Sequence, residues 1–190
     1  DSDTYHFTKD DEGLSLFWIK EEGRGVVEEL YSKKTDFKGN LLKEERLLTS
    51  DRGLRSFSVE LINDYYHLFW LSGKSEDNLR LKYWKLDQNF KTITEKVLID
   101  KLAYTRRIKT VSRGNDIYLT WFTTKEDDYE QVELARYNIK NNDFISKQIS
   151  SGELDASYPN LIIANGKVNL AWFKQNPDKL FSTSNDAKNN

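Results

Sequence analysis

The chain has 190 residues, with 29 basic and 31 acidic side chains and a net charge of −2 at pH 7. This balance gives no reason to expect nucleic acid or an anionic membrane surface as a partner. Cysteine is absent, which excludes disulfides and thiolate metal sites. No apolar run approaches the roughly 18 residues of a membrane span, so we predict no membrane insertion of this segment.

A three-residue motif that ends in tryptophan, here called a word, occurs four times along the chain, at steps of 52, 51 and 51 residues. The words are Leu16-Phe17-Trp18, Leu68-Phe69-Trp70, Leu119-Thr120-Trp121 and Leu170-Ala171-Trp172. A repeat of this length among short strands is typical of a radially repeated β unit.

Each word lies on the second strand of a predicted hairpin. The paired strands are 5–8 with 14–19, 57–62 with 66–71, 108–111 with 117–122, and 161–164 with 168–173. The turns between them contain residues that tolerate positive φ. Asn165-Gly166 is the strongest of these signals, because a type I′ turn needs positive φ at both central positions.

A polar loop and a third strand follow each word. The third strands are marked by aromatic residues, of which Tyr31 and Tyr83 both lie 13 residues after their tryptophans. Turns with Asp or Asn then lead to a fourth strand. The predicted fourth strands are 42–48, 93–99 and 144–149, and the fourth repeat has none.

Four antiparallel strands per repeat predict an all-β fold of β-propeller blades, with about four repeats of roughly 51 residues and the last incomplete. We predict one segment over residues 1–190, with blades at about 3–54, 55–105, 106–156 and 157–184. An open sheet edge invites association. Further blades of a longer propeller, or self-association with another copy, are therefore expected to cover the open end.

Strand alternation also predicts how the words face their neighbours. Side chains two residues apart share a face, so the Leu and Trp of each word should pack against one adjacent blade. The middle residues should face the other neighbour. These middle residues are Phe17, Phe69, Thr120 and Ala171.

The repeats resemble those of sialidase-like β-propellers, through the word ending in Trp, the aromatic third strand and the Asp-bearing third turn. The resemblance covers nearly the whole chain, with loose motifs. The family's Asp-box reads Ser-x-Asp-x-Gly-x-Thr-Trp in the third turn. Here Asp36 precedes Gly39, and Asp87 precedes Asn89, without the Ser or the Trp. The resemblance implies the architecture more than the enzyme.

Sialidases also use arginines at the start of inner strands to clamp a substrate carboxylate, a task that suits the bidentate guanidinium group. Arg55 and Arg106 each lie 15 residues before a repeat tryptophan. Flanked by Tyr104 and Arg107, they form our candidate ligand-binding set. The alternative is that these arginines pair with acidic loop residues at the surface. The family's Arg-Ile-Pro motif is not matched, since Lys109 follows Ile108.

Trp84 is the fifth tryptophan and falls outside the repeat. It follows Tyr83 on a third strand, so one of the two rings is expected to face outward. An exposed ring is a surface for sugar stacking, and a buried one packs between blades. Trp84 therefore completes the candidate ligand-binding residues, with core packing as the alternative.

No catalytic, metal or cofactor motif stands out. His6 and His67 lie at non-equivalent strand positions and do not form a metal set. The acidic run Asp10-Asp11-Glu12 matches no calcium-loop spacing and is interpreted as a polar turn. We predict no cofactor and no metal.

Two functions remain open at this stage. The first is a non-catalytic propeller module that binds a glycan or a protein, on an extracellular or cell-surface protein, as a processed or excised segment. The second is a fragment of a sialidase-like glycoside hydrolase whose catalytic groups lie partly outside this chain. Since one fold hosts many activities, the repeat alone does not choose between them.

Overall fold

The computed structural model describes residues 5–21, 28–51, 53–124, 129–152, 154–176 and 179–184. These residues form fifteen strands and no helix. In chain order the strands are β1 (Tyr5–Lys9), β2 (Gly13–Glu21), β3 (Glu28–Asp36), β4 (Leu41–Asp51), β5 (Ser56–Ile62), β6 (Tyr65–Ser72), β7 (Leu79–Leu86), β8 (Thr92–Leu102), β9 (Thr105–Arg113), β10 (Asp116–Thr124), β11 (Glu130–Asn138), β12 (Asp143–Gln148), β13 (Asp155–Ala164), β14 (Lys167–Asn176) and β15 (Lys179–Ser184). Most of the polar loops predicted after the first and third words lie outside the described residues.

The strands form four antiparallel sheets, one for each predicted repeat. Sheet 1 contains β1–β4, sheet 2 contains β5–β8 and sheet 3 contains β9–β12, each in chain order. Sheet 4 contains β13–β15, so it has three strands among the described residues. Asn165-Gly166 adopts positive φ at both positions, at 52° and 69°, as the predicted type I′ turn requires. The predicted repeat of four antiparallel strands is confirmed.

The chain divides into two compact units. The first unit spans residues 1–101 and holds sheets 1 and 2, and the second spans residues 102–190 and holds sheets 3 and 4. One continuous propeller segment with the blade limits given above stays a prediction.

The core of the first unit lies between sheets 1 and 2. The ring of Phe17 lies 5.3 Å from that of Tyr66 and 5.6 Å from that of Phe90, measured between centroids. Leu68 and Trp70 are buried in the same cluster. Phe17 therefore faces sheet 2 while Leu68 and Trp70 face sheet 1, which confirms the predicted alternation for this pair of sheets.

The second unit repeats this packing between sheets 3 and 4. Phe122, Val132 and Leu170 join one buried cluster, and Trp172 packs partly against it. Leu170 and Trp172 thus face sheet 3, as expected for the fourth word. Ala171, the middle residue of that word, is exposed on the other side of the sheet.

Tyr31 and Tyr83 lie equally far from their tryptophans in sequence but do not occupy equivalent positions in their sheets. Trp18 lies opposite Tyr31 on β3, whereas Trp70 lies opposite Lys82 on β7. The connection between second and third strands is one residue shorter in sheet 2. Because side chains alternate along a strand, this one-residue difference puts Tyr83 on the opposite kind of face from Tyr31.

The turns between third and fourth strands share one hydrogen-bonding pattern at a 51-residue spacing. The carboxylate of Asp36 accepts hydrogen bonds from the backbone N–H groups of Lys38 and Asn40, both at 2.8 Å. Asp87 accepts in the same way from the residues two and four positions later. The side-chain oxygen of Asn138 accepts hydrogen bonds from the backbone N–H groups of the residues two and three positions later. Asp36, Asp87 and Asn138 therefore form the turns of their sheets through local side-chain to backbone hydrogen bonds.

Phe90 lies in the second of these turns and has a φ of 59°. The equivalent turn of sheet 1 has Gly39 at this position, with φ 88°. A bulky residue in the left-handed region costs about 1 kcal/mol. Phe90 is buried against Phe17 and Tyr66, and burial of a phenylalanine side chain contributes about 2–3 kcal/mol. Packing thus outweighs the backbone strain.

A buried lysine ties the first hairpin to β3. The side chain of Lys34 is 1% exposed, and its Nζ lies 2.6 Å from Asp10 Oδ2 and 2.7 Å from Glu12 Oε2. Partial burial alone would raise the pKa of Asp10. The hydrogen bonds from Lys34 and from the backbone N–H groups of Glu12 and Gly13 instead hold that pKa below its usual value. The pair is therefore charged, and it stabilises the fold at neutral pH.

Replacing Lys34 by methionine is expected to lower the free energy of unfolding by about 2 kcal/mol, because the partly buried carboxylate of Asp10 loses its charged partner. The pKa of Asp10 is depressed in the folded state. Its contribution is therefore present above pH ~4 and is lost as the pH falls below the unfolded value. Urea titrations at pH 7 and pH 3 measure both effects. Lys33→Met, on the other face of β3, is the matched control, and an equal loss there would contradict the role of Lys34.

Candidate functional site

Sheets 3 and 4 carry the same irregularity near the start of their first strands. Arg107-Ile108 lies opposite Trp121 in sheet 3, and Tyr158-Pro159 lies opposite Trp172 in sheet 4. Two residues opposing one define a β-bulge, a feature that re-aims side chains and is frequent beside functional sites. Arg107 and Tyr158 have φ values of 58° and 53°, which bulky residues rarely adopt. Strain of this kind is concentrated at binding and catalytic sites.

The two bulges bring Arg107 and Tyr158 into contact. The guanidinium carbon of Arg107 lies 4.2 Å from the centroid of the Tyr158 ring, within the range of a cation–π interaction. The same ring meets Phe122 at 5.7 Å and Phe173 at 6.2 Å. Tyr158 nevertheless remains 48% exposed. The second unit therefore presents an aromatic ring beside a positive charge on its surface.

Carboxylates and a hydroxyl group lie near Arg106, the residue that precedes Arg107. Burial raises the pKa of Glu130, and nearby Asp155 raises it further, against the opposing effects of a Ser157 hydrogen bond and the positive charge of Arg106. The backbone N–H of Glu130 also donates to Asp155 Oδ1 at 2.9 Å. This part of the second unit thus combines a half-buried acid, a second carboxylate, a hydroxyl group and a guanidinium group. We call these residues, with Arg107 and Tyr158, the bulge site.

Tyr104 lies just before β9, with φ 47° and 47% exposure. The hydroxyl groups of Thr105 and Thr123 both donate to the carbonyl of Ala103, so the backbone beside Tyr104 is anchored. Of the sequence-predicted residues, the second unit therefore contains Tyr104, Arg106 and Arg107 within a few residues of the bulge.

Arg55 and Arg106 do not occupy equivalent positions, contrary to the expectation from their common offset. Arg106 lies opposite the residue that follows its repeat tryptophan. In sheet 2 that register position belongs to Ser56, and in sheet 4 it belongs to Ser157. The bulge at Arg107 takes up one residue in β9, which accounts for the difference. Equal spacing in sequence is thus not equal placement in the sheet.

Arg55 is an exposed residue of the first unit, and its backbone N–H donates to the carbonyl of Leu71 at 2.9 Å.

The loop that follows β6 lines a groove of about 350 Å³. Its described lining includes three cationic side chains and no acid. The lining residues are Ser72, Gly73, Lys74, Asn78, Arg80 and Lys82. Arg80 is also paired with Asp100 at 2.9 Å.

Trp84 is a core residue. It is 8% exposed, and its ring packs edge-on against Trp70 at 4.5 Å. Tyr83 is buried as well, with its hydroxyl oxygen 2.8 Å from Nδ1 of His67. The expectation that one of Tyr83 and Trp84 faces outward is wrong, because the register of β7 puts Trp84 opposite Leu68, in the core between the sheets. The ring has no free face for a sugar.

The residues predicted from the sequence do not include Glu130, Asp155 and Tyr158. Tyr158 lies 51 residues after Arg107, and Asp155 lies 51 after Tyr104, so applying the repeat step to each candidate would have found both. No sequence signal distinguishes Glu130 from the other acids. Its importance comes from its burial and its neighbours.

Within the described ranges, no group of three or more His, Asp or Glu side chains is arranged to hold a metal ion. None of the described segments is a helix long and apolar enough to cross a membrane.

The sheets and their register define a class of protein, the β-propeller. All-β architecture with four-stranded antiparallel blades is the fold predicted from the tryptophan repeat, and similar solved structures confirm it at low sequence identity. No family model and no curated protein matches the chain.

Two similar structures are neuraminidase-like proteins. The subtype N10 protein of A/little yellow-shouldered bat/Guatemala/060/2010 has a TM-score of 0.61 and 10% identity, over 90% of this chain and 51% of its own. The protein from A/bat/Guatemala/164/2009 has a TM-score of 0.62 and 9% identity, over 90% and 47%. This chain thus spans about half the length of both. The sialidase-like resemblance is confirmed at the level of the fold.

A third similar structure is the endo-arabinase from Bacteroides thetaiotaomicron VPI-5482. Its TM-score is 0.56 with 11% identity, over 95% of this chain and 72% of the enzyme. At this identity the likeness concerns the fold.

Proposed function

We propose that this chain is a non-catalytic β-propeller module that binds a glycan at the bulge site. The observation that carries the proposal is the pair of equivalent bulges, which places the Arg107 guanidinium group on the half-exposed ring of Tyr158. Sugar rings pack on exposed aromatic faces, and convergent polar groups fix their orientation. The names neuraminidase-like and endo-arabinase, given to the similar structures, both refer to carbohydrate.

The polar members of the site suit a ligand rich in hydroxyl groups. Arg106 supplies donors and Asp155 supplies acceptors, while the buried Ser157 hydrogen-bonds to Glu130. Each of these positions is set by a strand register or a bulge and not by a long loop, which favours a preorganised site. An extracellular or cell-surface location of the module, where glycans are abundant, is part of the proposal.

A glycan array probed with the 190-residue chain tests this function. Tyr158→Asn and Arg107→Asn remove the ring and the charge while keeping a residue that tolerates positive φ. Each is expected to weaken binding about tenfold, because each removes one of the two groups, the ring or the guanidinium group, that would contact the sugar. Tyr65→Asn is the matched control, because Lys85 lies 3.6 Å above the Tyr65 ring in the first unit. A blank array, or equal loss in the control, contradicts glycan binding at this site; a protein ligand is then the alternative.

A second candidate function is a fragment of a sialidase-like glycoside hydrolase, with other catalytic groups outside this chain. The observation that favours it is Glu130, whose pKa is raised by burial and by Asp155, as expected for a general acid. Hydrolysis of a fluorogenic sialoside by the full-length protein is the test. Glu130→Gln should abolish turnover and retain binding, whereas absence of turnover in the unaltered protein contradicts this candidate.

A further inference from the structure

One side of sheet 1, here called the outer face of sheet 1, presents mainly apolar side chains to the surface, with Lys33 opposite Leu16 and Lys20 near the Tyr31 ring. A row of four side chains crosses all four strands, because Tyr5 lies opposite Trp18, Trp18 opposite Tyr31, and Tyr31 opposite Leu47. Phe7 and Leu16 form a second, adjacent pair. Phe7 is 63% and Tyr5 58% exposed. Soluble proteins rarely leave large contiguous apolar patches without a partner.

The corresponding face of sheet 2 is covered. The residues that lie 52 positions after Tyr5, Phe7, Leu16 and Trp18 are Phe57, Val59, Leu68 and Trp70. All four residues of sheet 2 are buried against sheet 1. What covers them is the opposite face of sheet 1, through Phe17 and Leu30. The outer face of sheet 1 therefore has the pattern of a blade seam, and the surface that fits it is the covering face of another blade.

A covering face is itself exposed on sheet 4. Asn169, Ala171 and Phe173 hold the register positions that Ser15, Phe17 and Ile19 hold in sheet 1. With Asn160 and Ile162, they form the outer face of sheet 4, on the side opposite to Leu170 and Trp172. Ile162 is 56% and Phe173 55% exposed. The small Ala171 between them leaves room for a large ring.

We propose that the outer face of sheet 1 binds the outer face of sheet 4 from a second copy of this chain. Both surfaces have the strand register of the seams inside each unit, both carry exposed large apolar side chains, and the described residues leave both uncovered. Such a contact is heterologous, since two different surfaces meet, and it builds rings or open chains of copies. The inference does not depend on glycan binding, although Phe173 of this face also contacts Tyr158 of the bulge site.

Sedimentation velocity over a concentration series, with the 190-residue chain, measures the association. Phe7→Lys and Ile162→Lys each place a charge in the seam at a position that is exposed in the single chain, so folding should be unaffected. Each is expected to weaken association about 100-fold or more. Phe37→Lys is the matched control, because Phe37 is 62% exposed in the turn between β3 and β4, away from both surfaces.

Mixing the two variants tests the pairing of surfaces. The Phe7→Lys chain keeps its sheet 4 surface and the Ile162→Lys chain keeps its sheet 1 surface, so their mixture should form a 1:1 heterodimer with a single seam. Each variant alone should stay monomeric. An unaltered chain that is monomeric at its highest soluble concentration overturns the proposal. Association that survives in either variant, or a mixture that fails to pair while the unaltered chain associates, also overturns it.

Discussion

Replacing Phe17 by alanine is expected to lower the free energy of unfolding of the first unit by about 4 kcal/mol, the usual cost of emptying a buried phenylalanine site. Phe17 is fully buried and contacts the rings of Tyr66 and Phe90. Its loss leaves a cavity between two sheets. Because the hydrogen bonds within each sheet keep its backbone rigid, the sheets cannot move far enough to fill this cavity. Urea unfolding, followed by the fluorescence of the tryptophans, measures the change.

Phe7→Ala is the matched control for this prediction. Phe7 lies on the neighbouring strand of the same sheet, on the opposite face, and is 63% exposed. At a concentration where the chain is monomeric, this variant should change the free energy of unfolding by less than about 0.5 kcal/mol. Equal effects of the two substitutions would mean that Phe17 does not form the seam between sheets 1 and 2.

The fold was predictable because one pattern is repeated with few changes. The four words ending in Trp18, Trp70, Trp121 and Trp172 identify the second strand of each sheet, and the period of two along a strand assigns the faces. The seam between Phe17 and the second word follows from these two facts alone. Since each repeat must bury the same face, the pattern tolerates large changes in the loops.

The candidate site was less predictable, because small insertions change faces without leaving a clear signal. The connection before β7 is one residue shorter than its counterpart in sheet 1, and this change turns Trp84 into the core. The bulge adds one residue to β9, so Arg106 does not occupy the register position of Arg55. A bulge depends on backbone conformation at Arg107, and neither arginine nor tyrosine signals positive φ. Sequence spacing therefore located the neighbourhood of the bulge site and missed its acid, Glu130.

His67 makes the first unit sensitive to mild acid. It is 1% exposed, and Lys85 lies directly opposite it on β7. Burial, together with the positive charge of Lys85, lowers the pKa of His67 to about 4. The neutral imidazole is the form that the fold accepts, and it pairs through Nδ1 with the hydroxyl group of Tyr83.

Lowering the pH from 7 to 4 is therefore expected to reduce the free energy of unfolding by about 3 kcal/mol through His67 alone. The unfolded chain binds the proton near pH 6.5 and the folded chain only near pH 4, so stability is complete above 6.5 and declines between these values. Carboxylates such as Asp10 act at lower pH, below about 4, which separates the two effects. Urea titrations at half-unit intervals of pH give the slope.

His67→Asn should remove this slope, because the amide can still bond to Tyr83 but does not titrate in this range. The variant should be less stable than the unaltered chain at pH 7, since the smaller side chain fills less of the buried space. The same substitution at His6, the other histidine, measures any share that does not come from His67. If the slope between pH 4 and 6.5 persists in His67→Asn, the imidazole is not buried in its neutral form, and the packing of β6 against β7 around Tyr83 is not as described.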